Sequence, residues 1–582
     1  MIYREKRYSK AQIPSDGRIE VIRWFFILFG ASIILRLFFL QIISGDFYTA
    51  LASGQHEIYK TLFPQRGEIL VEDNNIVTGN KSFYPLATNK EYKTVYAQPR
   101  YLANFEETAK LLSPILEMSE DDLKSKLNKP NDPYEVLKRK ISDETVAKIS
   151  ALNIEGIKFQ DEVYRFYPEG SFGAHVLGFV ASRDDQKIGQ YGIEGYFENI
   201  LKGKPGILHS EKDLSGRWIS STQKNYTPAV NGSDVVLTID KTIQYFACKT
   251  LSTNAKKFQA DSASLVIMDP FTGAIVAMCS YPDFDPNEYN KVDSVEVYNN
   301  SAIFEPYEIG SVFKPITMAG ALDLGYITPE TTYVDTGEVK VDRFTIRNHD
   351  KKAHGQINMI EVLNQSLNTG TIFVIDKMGK ANFKRYVEAF GFGELTGINI
   401  ETEMAGNISS LEKKSDIYHY TDSFGQGITA TPLQMVQAFG AIANGGFLMR
   451  PYIVKEIRDG DDVTTTIEPK VIRKVIEKKT STILGGMMAA VVTQGTGKVA
   501  GVKGYTIAGK TGTAQIPDYE KGGYSTRTNQ SFIGFGPLDD PRFVMMIKYE
   551  DPKASTSGGT ATATFSQVAE FMLDYWHVPP EE

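Results

Sequence analysis

Three short motifs, far apart along the chain, carry the residues whose types and spacing suit acyl transfer. In Ser311-Val-Phe-Lys314 a hydroxyl and an amine lie three residues apart, so both fall on one face of a helix. A lysine amine that loses its hydration becomes neutral and can take the proton of a nearby serine, which makes that serine a nucleophile. Ser366-Leu-Asn368 and Lys510-Thr-Gly-Thr513 follow in the chain; taken alone, they are compatible with a polar pair inside a helix and with an ordinary turn.

The first motif is not decisive alone, because the chain contains two more Ser-x-x-Lys sequences. Ser221-Thr-Gln-Lys224 and Ser410-Leu-Glu-Lys413 lie in polar segments that are typical of solvated loops. Ser311, by contrast, follows Gly310 and opens the apolar run 312–322. This run predicts a buried helix whose N-terminal dipole favours negative charge near Ser311, which is therefore the candidate nucleophile.

The elements around these motifs predict an α+β domain. A strand at 235–240 and a hairpin of buried strands at 264–268 and 274–278 come first. Helical stretches follow around 311–323, 358–377 and 431–443, and strands return at 531–535 and 543–548. Strands, then helices, then strands predict a sheet that is closed by both ends of this region.

A more polar region precedes this domain and carries no obvious nucleophile. It mixes short alternating runs with amphipathic helical stretches around 105–116 and 143–152, and Ser142 is a good N-cap for the second of these. We expect four segments: a tail at 1–21, a membrane anchor at 22–43, a non-catalytic pedestal at 44–230 and the catalytic domain at 231–582.

Residues 22–43 form an almost continuous apolar run that is long enough to cross a bilayer, at about 33 Å of helix. Five basic residues precede it, which by the positive-inside rule predicts a cytoplasmic N-terminus and an extracytoplasmic remainder. The alternative is a cleaved signal peptide, but the run is long for one and no small-x-small site follows closely. Arg36, inside the run, is compatible with snorkelling towards the outer headgroups or with a partner helix at that face.

Composition excludes several classes of function. The net charge of −8 argues against nucleic acid as the main partner, since no basic excess can neutralise phosphates. A mean hydropathy of −0.24 excludes a many-pass membrane protein. The two cysteines, Cys248 and Cys279, exclude a disulfide scaffold and a thiolate zinc site but leave the redox compartment open. The seven histidines form no metal motif, and His349 and His354 are expected at the surface.

The order of the three motifs resembles that of penicillin-binding proteins and serine β-lactamases. Residues 66–74 are similar to the Arg-Gly-x-Ile-x-Asp-Arg-Asn stretch of class B penicillin-binding proteins, although Val71-Glu72-Asp73 departs from it. Similarity to that class continues along almost the whole chain, from about residue 20 to 577. It includes Arg165-Phe-Tyr-Pro168, Gly192-Ile-Glu-Gly195, Leu201-Lys-Gly203, the stretch 263–286, Phe424-Gly-Gln-Gly427, Thr431-Pro-Leu-Gln434 and Asn444-Gly-Gly446.

The resemblance implies an architecture and an activity. The architecture is a single transmembrane helix, an elongated mixed α/β pedestal of the dimerisation type and a transpeptidase domain with an antiparallel sheet flanked by helices. The activity is that of a monofunctional D,D-transpeptidase, which cross-links peptidoglycan stem peptides through a serine acyl-enzyme and is inhibited by β-lactams. No metal or organic cofactor is implied.

The resemblance also implies roles for individual residues. Ser311 would be the nucleophile and Lys314 the base, with its pKa lowered by Lys510 and by burial. Ser366 would relay a proton to the leaving D-alanine, and Asn368 would hold the substrate amide and orient Lys314. The oxyanion hole and the site for the terminal carboxylate would involve Ser311, Lys510, Thr511, Gly512 and Thr513.

Alternatives come from other classes of protein. A β-lactamase would need a deacylating base, for which Glu361-Val-Leu-Asn364 is a candidate, but that sequence precedes Ser366 and in the lactamases it follows the second motif. A signalling receptor would need a larger cytoplasmic part than a tail of about 20 residues. A non-enzymatic division scaffold does not explain three intact motifs.

Among transpeptidases, Asn368 and the short tail favour a division-type enzyme over an elongation-type one. Either type implies a partner glycosyltransferase and other membrane proteins of the divisome or elongasome. Either type also implies a single-pass protein of the cytoplasmic membrane.

Overall fold

The computed structural model describes residues 17–44, 57–74, 81–183, 186–211, 225–518, 521–553 and 559–581. The chain divides into two compact units, Met1–Pro64 with Lys204–Val230 and Gln65–Gly203 with Asn231–Glu582. The four-segment division with a boundary at residue 230 stays a prediction.

The strands are β1 Glu57–Leu62, β2 Ile69–Asn74, β3 Lys81–Ala97, β4 Glu135–Ile141, β5 Ile157–Phe166, β6 Phe179–Arg183, β7 Gln186–Gln190, β8 Gly206–Glu211, β9 Asn225–Thr227, β10 Asp234–Leu237, β11 Ser262–Met268, β12 Ile275–Tyr281, β13 Tyr307–Glu308, β14 Thr332–Asp335, β15 Glu338–Val341, β16 Phe344–Arg347, β17 Gly355–Asn358, β18 Thr429–Ala430, β19 Phe447–Met449, β20 Val454–Asp459, β21 Asp462–Thr466, β22 Val471–Lys474, β23 Ala508–Pro517, β24 Tyr524–Gly536 and β25 Phe543–Glu550. The α-helices are α1 Gly17–Phe38, α2 Phe105–Leu116, α3 Glu120–Leu127, α4 Asp143–Ala151, α5 Ala174–Leu177, α6 Gly192–Tyr196, α7 Glu198–Leu201, α8 Lys241–Phe258, α9 Ser301–Phe304, α10 Lys314–Asp323, α11 Met359–Asn364, α12 Asn368–Met378, α13 Lys380–Ala389, α14 Asp416–Asp422, α15 Pro432–Ala443, α16 Lys478–Thr493 and α17 Ala561–Tyr575.

The smaller unit contains the predicted membrane helix. Helix α1 continues into a π-helical turn, Phe39–Ile43, and the apolar span Ile19–Ile43 has a mean hydropathy of 2.3 over 25 residues. Of the helices in the described part of the chain, it alone is long and apolar enough to cross a membrane. The same unit holds a small antiparallel sheet, in the order β1-β8-β9.

In the larger unit, a seven-stranded sheet joins residues from both sides of position 230. Its order is β21-β20-β10-β2-β3-β4, with β5 paired to β3. Strand β10 runs parallel to β2 and antiparallel to β20. Helices α2, α3 and α4 contribute apolar side chains to a separate small core with β3, β4 and β5. The predicted N-cap is present, because the Ser142 hydroxyl accepts a hydrogen bond from the backbone N–H of Thr145 at 3.2 Å.

The five-stranded antiparallel sheet has the order β12-β11-β25-β24-β23. Strand β11 pairs with β12, which follows it, and with β25 near the far end of the chain. The sheet is therefore closed by the two ends of the domain, as the order of strands and helices in the sequence predicts.

Helices cover both faces of this sheet. Successive residues of β11 alternate between two cores: Leu265 and Ile267 pack with residues of α8 and α17, whereas Val266 and Met268 pack with residues of α10, α15 and α16. Because both faces are buried, the strand is apolar on both faces from Leu265 to Met268, although side chains alternate along it.

A disulfide joins Cys248 of α8 to Cys279 of β12, with the two Cα atoms 5.4 Å apart. The sequence predicted no pairing, because the two residues are separated by 31 positions and no motif relates them. Packing of α8 against β12 brings them together; the sequence excluded a disulfide scaffold and a thiolate zinc site, but it made no prediction of this single bond.

Candidate active site

Ser311 lies in a short 3-10 turn, Gly310–Phe313, that leads directly into α10. Gly310 has a φ of 61° and donates its N–H to the carbonyl of Gly425 at 2.9 Å. A Cβ at this glycine would lie 3.0 Å from the Cβ of Ala514, so the turn can pack closely on β23 only with glycine here. The Ser311 hydroxyl is half-buried and forms no hydrogen bond with any described residue.

Lys314 is the first residue of α10, and its side chain is completely buried. Its Nζ donates hydrogen bonds to the Ser366 carbonyl, to Oδ1 of Asn368 at 2.9 Å and to Oγ of Ser366 at 3.3 Å. Burial, and then the charge of Lys510, hold the pKa of the Lys314 amine well below its ordinary value of 10.5. This amine is therefore suited to accept a proton near neutral pH.

Ser366 lies in a break between α11 and α12. The sequence predicted one helix over 358–377, and that prediction was wrong at this point: Ser366 has a φ of 58°, a left-handed conformation that no α-helix can contain. The break turns the hydroxyl of Ser366 towards two amines, since its Oγ also accepts a hydrogen bond from Nζ of Lys510 at 2.9 Å. Ser366 thus connects Lys314 to Lys510.

Lys510 and Thr511 lie on β23, at the edge of the five-stranded sheet, and both are buried. Burial lowers the pKa of Lys510 to about 7. The hydroxyl of Thr511 is 2.8 Å from that of Thr496, and Thr513 is exposed. A Cβ at Gly512 would lie 2.9 Å from Cγ1 of Val312, so this glycine lets the serine turn approach the strand.

The predicted site residues therefore meet at one place, although about 200 positions separate the first motif from the third. Two further residues at the site lie outside the three motifs: Thr496, which touches Thr511, and Asn348, which accepts a hydrogen bond from the backbone N–H of Asn368 at 3.0 Å. No local pattern marks either residue, because each reaches the site from a loop distant in sequence.

The two other Ser-x-x-Lys sequences differ from Ser311-Val-Phe-Lys314 in their surroundings. Ser221-Thr-Gln-Lys224 lies outside the described residues. Ser410 is only 9% exposed and donates a hydrogen bond to the Gly427 carbonyl at 3.1 Å, so the expectation of a solvated loop was wrong there. Leu411, which follows it, packs into the main core and draws this turn inwards.

Comparison with known proteins identifies the family. The family model described as the penicillin-binding protein transpeptidase domain matches residues 263–570, and that described as the penicillin-binding protein dimerisation domain matches residues 61–237. Stage V sporulation protein D of Bacillus subtilis is 37% identical over 93% of this chain and 83% of its own length. This chain is a class B penicillin-binding protein.

Two further comparisons agree with the assignment of this chain to the class B penicillin-binding proteins. A peptidoglycan D,D-transpeptidase FtsI homolog from Mesostigma viride is 28% identical over 98% of both chains. The crystal structure of penicillin-binding protein 2X from Streptococcus thermophilus superposes with a TM-score of 0.72 at 23% identity, covering 90% of this chain and 83% of that one, and shows the shared fold. The class B penicillin-binding protein is a penicillin-sensitive serine-type D,D-transpeptidase that acts on peptidoglycan.

The β-lactamase alternative finds no support in the surroundings of Glu361. Its carboxylate accepts hydrogen bonds from Nε2 of Gln365 at 2.8 Å and from Nδ2 of Asn364 at 3.2 Å. Both partners belong to the same turn of chain, so the carboxylate stabilises the end of α11. In the described part of the chain, no group of three or more histidine, cysteine, aspartate or glutamate side chains is placed to hold a metal ion.

Proposed function

We propose that Ser311 attacks the carbonyl carbon of the terminal D-Ala–D-Ala bond of a stem peptide, and that Lys314 takes the hydroxyl proton. The observation that carries this proposal is the fully buried Lys314 amine, which follows Ser311 by one helical turn and has a lowered pKa. The missing hydrogen bond between the two side chains is compatible with this role, because catalytic hydrogen bonds often form only with substrate bound.

The leaving D-alanine needs a proton when its bond to the carbonyl carbon breaks. Oγ of Ser366 is 3.3 Å from Nζ of Lys314 and 2.9 Å from Nζ of Lys510. The proton that Lys314 received passes through this hydroxyl to the nitrogen of the leaving D-alanine. The remaining acyl group is an ester of Ser311. The amine of a second stem peptide attacks its carbonyl carbon, the bond to the serine oxygen breaks, and a proton of the amine returns to that oxygen through Lys314, which gives the cross-link and the free serine.

Binding groups surround the reacting carbonyl. The turn that holds Ser311 packs on β23, so the backbone N–H groups of Ser311 and Thr513 form the oxyanion hole, a contribution of about 3–4 kcal/mol to transition-state stabilisation. Lys510, Thr511 and Thr513 receive the terminal carboxylate of the substrate, and Gly512 keeps the strand accessible to the turn. β-Lactams enter by the same route and acylate Ser311.

Mapping of the penicillin adduct tests the nucleophile. We expect one labelled site per chain, and the labelled peptide to contain Ser311. Ser311→Ala should remove the label, whereas Ser410→Ala is the matched control within another Ser-x-x-Lys sequence and should keep it. An adduct on Ser221 or Ser410 would contradict the assignment.

We propose further that the enzyme serves septal cell-wall synthesis. Asn368 in the second motif and the short N-terminal tail support the division type over the elongation type. The identity of 37% to a protein named for stage V of sporulation favours a second candidate, a transpeptidase used during sporulation. Localisation of a fluorescent fusion separates the three: septa of growing cells, the lateral wall, or sporulating cells only.

The proposed location is the cytoplasmic membrane, with the N-terminus in the cytoplasm and the catalytic residues outside. The basic residues before the apolar span support this orientation, and the Cys248–Cys279 disulfide is typical of an oxidising compartment. A membrane glycosyltransferase that makes the glycan strands, together with other division proteins, is the expected partner. Protease added to intact spheroplasts should digest the catalytic domain if this orientation holds.

A further inference from the structure

Asn348 lies outside the three motifs, yet its side chain holds the start of the helix that carries the second. It is in the loop after β16 and is 2% exposed. Its Oδ1 accepts hydrogen bonds from the backbone N–H groups of Asn368 at 3.0 Å and Thr369 at 3.2 Å. Helix α12 begins at Asn368, and Leu367, in the N-cap position, has no side-chain acceptor. Asn348 therefore caps α12 from a loop 20 residues away.

Asp335, the last residue of β14, fixes which way the Asn348 amide points. Its two carboxylate oxygens accept hydrogen bonds from Nδ2 of Asn348 at 3.1 and 3.0 Å. The hydroxyl of Thr369 donates to Oδ1 of Asp335 at 2.7 Å. Because a carboxylate only accepts hydrogen bonds, the amino group of Asn348 faces Asp335 and its oxygen faces the helix. Asp335 is 1% exposed, so water does not compete for these bonds.

The same loop also holds the side chain of Asn368. Nδ2 of Asn368 donates to the carbonyl of Arg347 at 2.9 Å, and its Oδ1 accepts from Nζ of Lys314 at 2.9 Å. Both the backbone and the amide of Asn368 are thus attached to the segment 347–348. One of the three acceptors that hold the Lys314 amine, Oδ1 of Asn368, therefore depends on where that segment lies.

We infer that Asn348, oriented by Asp335, is a positioning residue for acyl transfer: it places Asn368, and through Asn368 the amine of Lys314. This inference rests on the proposed roles of Lys314 and Asn368. A small displacement of a positioned catalytic group can lower a rate by about 100-fold, so loss of the cap should be visible in the acylation rate.

A double-mutant cycle tests this dependence. We expect Asn348→Ala to lower the second-order rate of penicillin acylation, per folded molecule, by about 10- to 100-fold in the wild-type background. In the Asn368→Ala background the same substitution should lower it by less than about threefold, because the group that Asn348 places is already gone. Equal losses in the two backgrounds would overturn the inference.

The pH profile of acylation gives a readout that a loss of stability alone would not move. The ammonium form of Lys314 donates to Oδ1 of Asn368, so displacement of that acceptor disfavours the ammonium and lowers its pKa further. Lys510 faces Lys314 across Ser366 and stays in place in the variant. We expect the acidic limb to move to lower pH in Asn348→Ala and in Asn368→Ala alike. An acidic limb that stays at the wild-type pH in Asn348→Ala, while it moves in Asn368→Ala, would count against the inference.

Two other substitutions cover the case in which Asn348→Ala does not fold. The exchange of Asn348→Asp with Asp335→Asn swaps donor and acceptor between the two side chains, keeps an oxygen that accepts from both N–H groups and avoids two facing carboxylates, so acylation should stay within about threefold of wild type. Asp335→Asn keeps the volume but turns one acceptor into a donor, which leaves the Asn348 amide less fixed; acylation should fall by about three- to tenfold. An Asp335→Asn variant with unchanged acylation would overturn the inference by itself.

Asn254→Ala is the matched control for a buried asparagine. Asn254 lies on α8, is 7% exposed and donates a hydrogen bond to the Thr564 hydroxyl at 2.9 Å, on the other face of the five-stranded sheet. We expect a lower melting temperature with unchanged acylation per folded molecule. Penicillin labelling of the wild-type protein distinguishes failure of this inference from failure of the proposed function. If Ser311 is labelled but the losses of acylation rate in the double-mutant cycle are additive, only the role of Asn348 is wrong. If Ser311 is not labelled, the proposed chemistry is wrong.

Discussion

At the residue scale, the site depends on two lysine amines that share one serine hydroxyl. Both amines are buried, and the charge of Lys510 lowers the pKa of Lys314 further. Two like charges in a buried site disfavour each other, so the pair holds fewer protons near neutral pH than two exposed lysines would. Under the proposed roles, this leaves the amine of Lys314 to act as the base and that of Lys510 to attract a carboxylate.

Lys314→Arg tests the base. Arginine keeps the positive charge but does not lose its proton in a protein, so acylation should be lost about as fully as in Ser311→Ala. Proton transfer by a positioned base contributes about 10²- to 10⁴-fold. The measurement is the second-order rate of β-lactam acylation, with thermal melting to check the fold. A folded variant within about tenfold of wild type would show that the proton leaves Ser311 by another route, of which Ser366 is the nearest.

Lys510→Arg tests the carboxylate-binding charge. With a pKa of about 7, Lys510 is charged below that pH and neutral above it. Acylation by a β-lactam that binds through its carboxylate should therefore decline as the pH rises through about 7. Arginine stays charged, and the alkaline decline should disappear while the acidic limb due to Lys314 remains. Rates measured between about pH 5 and 9 decide it; the same alkaline decline in the variant would exclude Lys510 as its source.

Glu361→Gln tests the remaining lactamase alternative. Since the Glu361 carboxylate is bound to Gln365 and Asn364, we expect the lifetime of the penicillin adduct to stay essentially unchanged. Release of labelled penicillin over time measures that lifetime. A variant that holds its adduct far longer than wild type would make Glu361 a deacylating base.

At the scale of elements, separate pieces of chain meet at one buried carboxylate. Glu194 of α6 is fully buried, and its oxygens lie 2.6 Å from Nε of Arg165 and 2.6 Å from Nη2 of Arg66. Burial alone raises the pKa of Glu194, but the charges of Arg165 and Arg66 outweigh it, so the pKa lies below its ordinary value of 4.5. These residues belong to the stretches in which the sequence resembles the N-terminal part of the family, and their charge pairing ties β5 and α6 to the chain before β2.

Glu194→Gln should lower the free energy of unfolding by about 3–5 kcal/mol at neutral pH, because it leaves buried arginine charge without its partner. The depressed pKa makes this contribution full above the unfolded pKa of about 4.5, and it is lost as the pH falls through the folded-state pKa. The difference between variant and wild type should therefore shrink in acid. Denaturant melts at several pH values measure it, with the exposed Glu155→Gln as control; a constant difference down to low pH would contradict the linkage.

At the scale of the whole molecule, one apolar helix accompanies a much larger folded part. A chain that begins at residue 45 lacks the span Ile19–Ile43 and should be soluble or only peripherally bound, with its acylation by penicillin intact. Fractionation of membranes with carbonate, followed by penicillin labelling, checks both points. Recovery of the shortened chain only with the detergent-extracted integral proteins would show a second membrane attachment.

The sequence by itself determined the features that depend on neighbouring residues. The apolar span, the buried strand β11 and the acidic start of α4 after Ser142 all arise from local composition or capping, so they can be recognised without knowledge of the fold. The three motifs were recognisable for the same reason, since each is a short run whose chemistry requires fixed spacing. Together they predicted the residues that meet at Ser311, and the order of strands and helices predicted a sheet closed by both ends of the domain.

Only the tertiary structure decided what depends on partners distant in the chain. The sequence could not show that Cys248 pairs with Cys279, that Ser410 is buried, or that the helix breaks at Ser366. Asn348 is the clearest case, because an asparagine in a polar loop has no feature that marks it as the cap of a helix. Packing brings such groups together after the local elements have formed, and a buried hydrogen bond then depends on the geometry of both partners rather than on the sequence around either.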